Sequence, residues 1–266
     1  HISTSYIHQY VRSAEPQLGQ FYIAEYAATE NYDVKVKKYS SHEPILNSLI
    51  DILESNCCKI LGFYVDSENL WTIRRLLYDV KQAIRDLFVI IGGPQVTGDA
   101  KLALKRIPLA DCAIVGEGER PFLDLLKASN KGKAELSKIK GLAFHDDKGD
   151  FIYTGSQTLV DIDIYPYPRR EHYSLDADII FDQISTGRGC IGNCAFCFEG
   201  NKTENNLRLR SVNSVIDEID YVISHLKNQN YISFLDDTFI INPSRTKTIC
   251  NHLINKYNGN IGWFCE

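Results

Sequence analysis

Residues 185–200 read Ser185-Thr-Gly-Arg-Gly-Cys190-Ile-Gly-Asn-Cys194-Ala-Phe-Cys197-Phe-Glu-Gly200 and contain three cysteines in a C-x3-C-x2-C pattern. Thiolates at this spacing can surround one small metal cluster. A cubane iron–sulfur cluster usually takes four cysteine ligands, so three leave one iron open to another ligand. Nearby glycines let the backbone approach such a cluster closely, namely Gly187, Gly189, Gly192 and Gly200. The segment therefore predicts an iron–sulfur site with one incompletely coordinated iron.

Two simpler interpretations of these cysteines fit the sequence less well. A structural zinc site needs four protein ligands, and the next candidates, His225 and Cys250, lie far along the chain in predicted helices. A disulfide framework is not expected, because nothing at the N-terminus resembles a signal peptide and the other cysteines show no regular spacing. We interpret the remaining cysteines as small core residues: Cys57, Cys58, Cys112, Cys250 and Cys265.

Composition narrows the possible functions further. The sequence has 266 residues and a formal net charge of −5, without a basic cluster, so we expect no nucleic-acid partner. The longest apolar runs, such as residues 87–91, are too short to span a bilayer, so we expect no membrane association. Eight cysteines without a targeting segment fit the reducing cytoplasm.

The first half of the sequence alternates predicted strands with predicted helices. Strands are expected at residues 59–65, 88–91 and 111–115, and amphipathic helices follow them. This alternation predicts an α/β fold with a parallel, doubly wound, Rossmann-like sheet, whose ligands bind beyond the carboxyl ends of the strands. Three glycine-bearing or polar loops follow those strands, although ordinary turns between strand and helix have similar compositions. Neither a Walker lysine loop nor a G-x-G-x-x-G motif is present, so nucleotide binding is weakly supported.

The second half predicts the beginning of a (β/α) barrel. A strand at 178–184 leads into the cysteine loop, and a second strand at 231–235 ends in Asp236-Asp237. Ser211 and Asn242-Pro243 are expected to begin the two helices that follow these strands. Residues 261–266 begin a third strand, so we expect the barrel to continue beyond this sequence. The residues that handle substrate are expected in that further part, and no catalytic residue is identified here.

The cysteine loop, with Phe196 directly before its third cysteine, resembles the signature of radical S-adenosylmethionine (radical SAM) enzymes. In that family the open iron is chelated by the amino and carboxylate groups of SAM. One electron from the reduced cluster then breaks the sulfonium bond and releases a 5′-deoxyadenosyl radical. The resemblance implies a [4Fe–4S] cluster on Cys190, Cys194 and Cys197. It also implies SAM contacts at Phe196, Asp236 and Asp237.

Motifs across the rest of the chain, in their order, resemble the subclass of radical SAM enzymes that carries an N-terminal cobalamin-binding domain. They are residues 15–24, 92–94 and 115–119, a hairpin at 141–155 and a proline-bearing linker at 161–168. The resemblance implies a cobalamin-binding domain at 1–130, a hairpin and linker at 131–175, and a partial barrel at 176–266. It implies cobalamin contacts at Tyr64, Ser67, Gly92, Gly93, Pro94, Gln95, Gly116, Glu117 and Gly118.

One expected motif is absent. The D-x-H-x-x-G sequence that supplies a lower axial histidine to cobalamin in mutases is not found around His42. We therefore expect no histidine ligand on the cobalt.

The resemblance implies an enzyme that methylates an unactivated carbon of a small-molecule or peptide substrate, with a flavodoxin- or ferredoxin-type electron donor. Three alternatives stay open. Some relatives catalyse radical cyclisation or rearrangement on the same scaffold. A tRNA methylthiotransferase carries extra N-terminal cysteines, a layout that Cys57, Cys58 and Cys112 do not match. A non-catalytic iron–sulfur or cobalamin carrier would use the same cofactors without turnover.

Overall fold

A computed structural model describes residues 5–10, 18–39, 45–128, 133–169, 182–192, 194–197, 207–225 and 231–265. These residues form two compact units, one up to Thr158 and the other from Leu159 onward. Within the described ranges, no helix is both long enough and apolar enough to cross a membrane.

The first unit is built on a seven-stranded sheet in the order β2-β1-β3-β4-β5-β6-β7. Its strands are β1 (Ser5–Tyr10), β2 (Val34–Tyr39), β3 (Ile60–Tyr64), β4 (Phe88–Gly92), β5 (Cys112–Ile114), β6 (Leu142–His145) and β7 (Phe151–Tyr153). The first five strands pair in parallel, and the β6–β7 hairpin adds an antiparallel edge. The predicted doubly wound α/β fold is confirmed, with this antiparallel edge in addition.

Helices connect the strands of this sheet. They are α1 (Leu18–Ala28), α2 (Ile45–Ser55), α3 (Leu70–Ala83), α4 (Pro94–Gly98), α5 (Ala100–Arg106), α6 (Glu119–Ala128) and α7 (Lys133–Leu136). One apolar stripe of α3 is fully buried against the sheet, where Ile73 and Leu77 join Leu61 of β3 and Ile91 of β4 in one core. This burial is what the 3.6-residue periodicity of the helix and the continuous apolar run of each strand predict.

The strand order also fixes where a ligand can bind. From β1 the chain moves to β2 on one side, and it then crosses back past β1 to β3 on the other side. The strand order therefore reverses between β1 and β3. Open α/β sheets bind ligands outside the carboxyl ends of the strands at such a reversal. In this unit that place lies at the carboxyl ends of β1 and β3.

The second unit contains a parallel sheet in the order β12-β11-β8, made of β8 (Gln183–Ile184), β11 (Tyr231–Phe234) and β12 (Gly262–Phe264). An antiparallel pair, β9 (Gly187–Arg188) with β10 (Arg208–Leu209), follows β8. Helices α8 (Val212–His225) and α9 (Pro243–Tyr257) pack on the sheet through a core that includes Val215, Phe234 and Ile249. The predicted strand–helix alternation is present, although residues 178–181 of the first predicted strand lie outside the described part.

Both predicted helix starts in this unit are confirmed. The backbone N–H of Ser214 donates to Ser211 Oγ (3.3 Å), and that of Arg245 donates to Asn242 Oδ1 (3.1 Å). Each side chain thereby satisfies one of the N–H groups that the first turn of a helix leaves unpaired.

Candidate functional site

Cys190, Cys194 and Cys197 lie on one short loop of the second unit, shortly after β9. The thiol of Cys194 is exposed, and the other two are half-buried. The backbone N–H of Gly192 donates to Cys190 Sγ at 3.3 Å. A Cβ at Gly192 would lie 3.3 Å from Cys190 Sγ and 3.7 Å from Cys194 Sγ, so only glycine leaves the space beside these sulfurs open.

The three cysteines are the candidate ligands of this loop. Among the described residues, no group of three His, Cys, Asp or Glu side chains has the arrangement of a metal site. The donor set itself fits an iron–sulfur cluster, because three thiols are close in sequence and a backbone N–H already faces one sulfur.

The carboxyl end of β11 lies next to the cysteine loop. Thr238 Oγ1 is 4.0 Å from Cys190 Sγ, and the same hydroxyl donates to the carbonyl oxygen of Asp237 at 2.7 Å. Asp237 is exposed, and the ring of Phe196 is 92% exposed. The structure thus brings the Asp237 region and the cysteines together, as the sequence predicted for neighbouring parallel strands.

Asp236 has a different environment from its neighbour. It is buried, and its carboxylate accepts hydrogen bonds from the N–H of Thr186 (2.6 Å), the N–H of Gly187 (3.2 Å) and the Thr186 hydroxyl. Burial raises the pKa of Asp236, and these hydrogen bonds together with the charge of Arg245 oppose that rise. Both carboxylate oxygens are therefore already engaged within the protein.

The three loops predicted to contact cobalamin meet at one edge of the first sheet. The N–H of Val65, after β3, donates to the Gly92 carbonyl at the end of β4 (2.7 Å), and the N–H of Gln95 donates to the Val65 carbonyl (3.2 Å). The Thr97 hydroxyl accepts from the N–H of Gly116, after β5, at 3.1 Å. The loops thus form one connected rim at the carboxyl ends of β3, β4 and β5.

Packing within the protein already explains two of the glycines in this rim. Gly93 has a φ of 103°, and a Cβ there would lie 2.8 Å from the Val65 carbonyl oxygen. A Cβ at Gly118 would lie 2.4 Å from Cδ1 of Ile23 on α1. Position 93 requires glycine because its φ is positive and backbone atoms of Val65 lie too close for a Cβ, whereas the contact at position 118 is with the movable end of the Ile23 side chain. These two glycines are therefore not by themselves evidence of a ligand.

Residues of the rim differ in their exposure to solvent. Ser67, Pro94 and Gly116 are exposed, whereas Gln95 and Glu117 are half-buried.

Tyr64 is the titratable group of the rim with a perturbed pKa. Burial, followed by the nearby charge of Asp66, raises the pKa of Tyr64 to about 12. Its phenol therefore stays neutral at physiological pH and can donate a hydrogen bond.

Gln20 is a candidate that the sequence analysis missed. It lies in the first turn of α1, the element that follows β1, and it is 3% exposed. Among the described residues, neither its amide nitrogen nor its amide oxygen has a hydrogen-bond partner. A buried amide in this state costs about 1–3 kcal/mol. In the sequence Gln20 is simply a polar residue in a helix. The structure shows that this helix is buried on nearly every side.

The remaining cysteines were interpreted as core residues, and this is confirmed for Cys58 and Cys112, which are buried. It is wrong for Cys57, which is exposed in the turn after α2, where its backbone is left-handed with a φ of 49°. Cys250 and Cys265 are half-buried at the edge of the second unit. His42, which was expected not to bind cobalt, and Gly200 lie outside the described residues.

Comparison with known proteins agrees with this arrangement. Residues 7–126 match the model of the B12 binding domain, and they include β1 to β5 with all three rim loops. The cysteine loop follows in the second unit. The chain therefore contains a B12 binding domain.

The proteins to which this chain is similar include two curated proteins. The uncharacterised methyltransferase PH0819 of Pyrococcus horikoshii is 29% identical over 245 residues, which are 91% of this chain and 53% of PH0819. The anaerobic magnesium-protoporphyrin IX monomethyl ester cyclase of Rubrivivax gelatinosus is 23% identical over 207 residues, which are 74% of this chain and 37% of the cyclase. The chain thus spans about half, or less, of the length of these relatives.

A solved structure has the same fold over nearly the whole chain. The radical S-adenosylmethionine methyltransferase TsrM of Kitasatospora setae, with cobalamin and a [4Fe–4S] cluster bound, superposes with a TM-score of 0.81 at 13% identity. The match covers 99% of this chain and 54% of TsrM. At this identity the likeness concerns the fold.

Proposed function

We propose that this protein is a cobalamin-dependent radical SAM enzyme that transfers a methyl group to an unactivated carbon. The observation that carries the proposal is the presence, in one chain, of a B12 binding domain and a C-x3-C-x2-C loop beside the carboxyl end of a parallel strand. The methyltransferase names of PH0819 and TsrM support methyl transfer as the outcome.

In this proposal Cys190, Cys194 and Cys197 hold a [4Fe–4S] cluster. When bound, the cluster supplies the electron that cleaves SAM, and cobalamin supplies a carrier for the methyl group. The N–H of Gly192 donates to Cys190 Sγ and so stabilises a thiolate there. The absence of a side chain at Gly192 keeps the space beside the sulfurs of Cys190 and Cys194 open.

Asp237 and Phe196 are the proposed SAM contacts in the described residues. Asp237 lies in the turn after β11, next to Thr238, whose hydroxyl is 4.0 Å from Cys190 Sγ, and its carboxylate can pair with the SAM ammonium group. Phe196 is 92% exposed on that loop, so its ring is available to a ligand. Asp236 was expected to contact SAM as well, but its oxygens already accept three hydrogen bonds from Thr186 and Gly187. We therefore assign it a different role below.

The proposed cobalamin site is the rim formed by Tyr64, Ser67, Gly92–Gln95 and Gly116–Gly118. Its support is that the three loops are hydrogen-bonded to one another at the strand ends beside the reversal of strand order. Cobalamin carries amide side chains around its ring. The amide of Gln20, on the helix that follows β1, has no hydrogen-bond partner in the described part of the chain and can satisfy such a group.

Radical cyclisation or rearrangement is the second candidate outcome, favoured by the likeness to the magnesium-protoporphyrin cyclase. In either case we propose a small-molecule or peptide substrate, a flavodoxin- or ferredoxin-type electron donor and a cytoplasmic location. A nucleic-acid substrate is not part of the proposal, because the net charge of −5 gives no basic surface to hold one.

The decisive experiment is anaerobic reconstitution of the full-length protein with iron, sulfide and cobalamin. We expect corrin absorption bands beside the iron–sulfur shoulder, and release of 5′-deoxyadenosine from SAM under reducing conditions. Cys190→Ala should lose the cluster and the 5′-deoxyadenosine. Cys57→Ala is the matched control, because Cys57 is an exposed thiol in the first unit, and it should change neither.

Three results would contradict the proposal. Stoichiometric zinc in place of iron would exclude the cluster. An intact cluster without any 5′-deoxyadenosine would indicate a carrier. A protein that cleaves SAM but shows no corrin bands would exclude the cobalamin dependence.

A further inference from the structure

A buried hydrogen-bonded network joins the segment that leads into the cysteine loop to the end of β11. Asp236, at that end, accepts from the N–H and the hydroxyl of Thr186 and from the N–H of Gly187. Thr186 is fully buried and Gly187 begins β9, three residues before Cys190. One carboxylate therefore fixes the start of the segment that delivers the first cysteine.

Arg245 reaches the same segment from α9. Arg245 is 8% exposed, and its guanidinium donates to the Thr186 hydroxyl (3.1 Å) and to the Thr186 carbonyl oxygen (2.8 Å). It also donates to the carbonyl oxygen of Arg210 through two nitrogens, at 3.1 and 3.2 Å. A single planar group thus joins the end of β8 to the end of β10.

Arg210 and Glu218 complete the network from the other side. Arg210 donates to the Ser185 carbonyl oxygen at 2.8 Å and to Ser214 on α8, and its guanidinium forms a buried ion pair with Glu218. Arg210 is 3% exposed and Glu218 is fully buried. The network therefore contains two carboxylates and two guanidinium groups, so its formal charges cancel.

Such a network is a weak source of stability. Removing charges from water costs several kcal/mol per ion, and well-packed apolar residues of similar volume stabilise a fold equally well or better. The charged groups instead fix the relative positions of the segments that they join, because each donor and acceptor is satisfied in one geometry only. All of the backbone groups bound here belong to residues 185–187, 210 and 214, which surround the start of the cysteine loop.

We propose that Asp236, Thr186 and Arg245 are positioning residues that set the cysteine loop against the SAM-binding end of β11. The proposal rests on the proposed function, since it assigns the support of that same site. Asp236 acts through Thr186, whereas its neighbour Asp237 is the proposed SAM contact. The Thr186 hydroxyl is the centre of the arrangement, because it both donates to Asp236 and accepts from Arg245.

The test compares Thr186→Val with Thr186→Ser in the reconstituted full-length protein. Valine keeps the volume and branching of threonine but removes the hydroxyl, and serine keeps the hydroxyl. The measured quantities are iron per chain and the SAM concentration that gives half of the SAM-induced change in the EPR spectrum of the reduced cluster. Asp217→Asn, at an exposed residue adjacent to Glu218 on α8, is the control for a general effect of substitution.

We expect Thr186→Val to keep its iron but to need on the order of 10- to 100-fold more SAM, the range typical of residues that support metal ligands. Thr186→Ser and Asp217→Asn should titrate like the unmodified protein. A Thr186→Val protein that titrates like Thr186→Ser overturns the proposal. If Thr186→Val does not fold, Arg245→Lys is titrated instead, because lysine keeps the buried charge but loses the planar guanidinium. A raised SAM requirement then supports the proposal, and a titration like that of Thr186→Ser overturns it.

Failure of the proposed function itself gives a different result. In that case the unmodified protein holds no iron, or its EPR spectrum does not respond to SAM, and the assignment of these positioning residues falls with it.

Discussion

Gly141 leaves the space that the side chain of Gln157 fills. A Cβ at position 141 would lie 2.5 Å from Nε2 of Gln157. From there Nε2 donates to the carbonyl oxygens of Val115 (3.1 Å) and Glu117 (2.7 Å), which lie in the rim loop after β5. The shape of this loop therefore depends on a side chain 40 positions further along the chain than Glu117.

Alanine at Gly141 should destabilise the protein more than alanine at Gly149. Both glycines have left-handed backbones, with φ of 83° and 85°, so each substitution introduces strain of about 1–2 kcal/mol. Only Gly141→Ala must also displace Gln157, because nothing lies within 4 Å of a Cβ at Gly149. We expect a further loss of about 1 kcal/mol in the free energy of unfolding, measured by chemical denaturation.

A double-mutant cycle separates this contact from the backbone strain. In a Gln157→Ala background the difference between the two alanine variants should disappear, because the displaced side chain is already gone. Equal losses for both glycine variants in the unmodified background would show that Gln157 is not held by this contact.

Gln20→Leu should stabilise the protein without cofactor and weaken cobalamin binding. Leucine removes a buried amide that has no partner among the described residues, so we expect the free energy of unfolding to rise by about 1–3 kcal/mol. Cobalamin binding, measured by absorption titration, should weaken because the same amide is the proposed partner of a cofactor amide.

Gln82→Leu provides the matched control, since Gln82 is exposed on α3. It should leave both quantities nearly unchanged. A Gln20→Leu protein that binds cobalamin as tightly as the unmodified protein would remove Gln20 from the proposed site.

Thiol alkylation should distinguish the cysteines by burial and by cluster formation. Before reconstitution, the exposed Cys57 and Cys194 should react quickly. Cys112 should react only on unfolding, because full burial, followed by the charge of Asp111, raises the pKa of its thiol well above the usual range. After reconstitution, Cys194 should become protected while Cys57 stays reactive, as peptide mass analysis can show. Continued reaction at Cys194 in iron-loaded protein would argue against its role as a ligand.

Asp220 should make the stability of the second unit depend on pH. Burial raises its pKa, but hydrogen bonds from Lys256, Tyr257 and His252 outweigh burial and lower it below the usual range. A carboxyl group with a lowered folded-state pKa stabilises the fold above its unfolded pKa and loses that contribution as pH falls through the folded value. Asp220→Asn should therefore reduce the free energy of unfolding by about 1 kcal/mol at neutral pH.

The loss caused by Asp220→Asn should shrink in acid, below about pH 4, where the unmodified carboxyl is also becoming protonated. Asp217→Asn, an exposed neighbour on α8, should show no such pH dependence. A pH-independent difference in the free energy of unfolding between Asp220→Asn and the unmodified protein would mean that side-chain packing, and not charge, stabilises the contact between α8 and α9.

Local patterns in the sequence predicted most of the fold. The apolar run of β3 and the periodic apolar residues of α3 were sufficient, because their burial follows directly from residue spacing. β1 was not predicted: its sequence, Ser-Tyr-Ile-His-Gln-Tyr, has few apolar residues, and only the sheet reveals its place between β2 and β3. Its central position comes from pairing partners distant in sequence, which no local pattern records.

The sequence likewise predicted one part of the candidate site and missed another. The three cysteines were found because their ligand pattern occupies eight consecutive residues. The contact of Asp236 with Thr186 spans 50 positions, so the sequence showed two adjacent aspartates after a strand but not which of them was buried. Gln20 was missed because its unpartnered state depends on the packing around a whole helix.

The support that Gln157 gives to the loop after β5 also determines how this protein can be dissected. The B12 binding domain match ends at residue 126, yet the antiparallel hairpin and Gln157 lie beyond it, and the first compact unit extends to Thr158. A fragment cut at the end of the match would expose the open edge of β5 and release the loop that follows it. Any isolated corrin-binding fragment should therefore be ended at Thr158 or later.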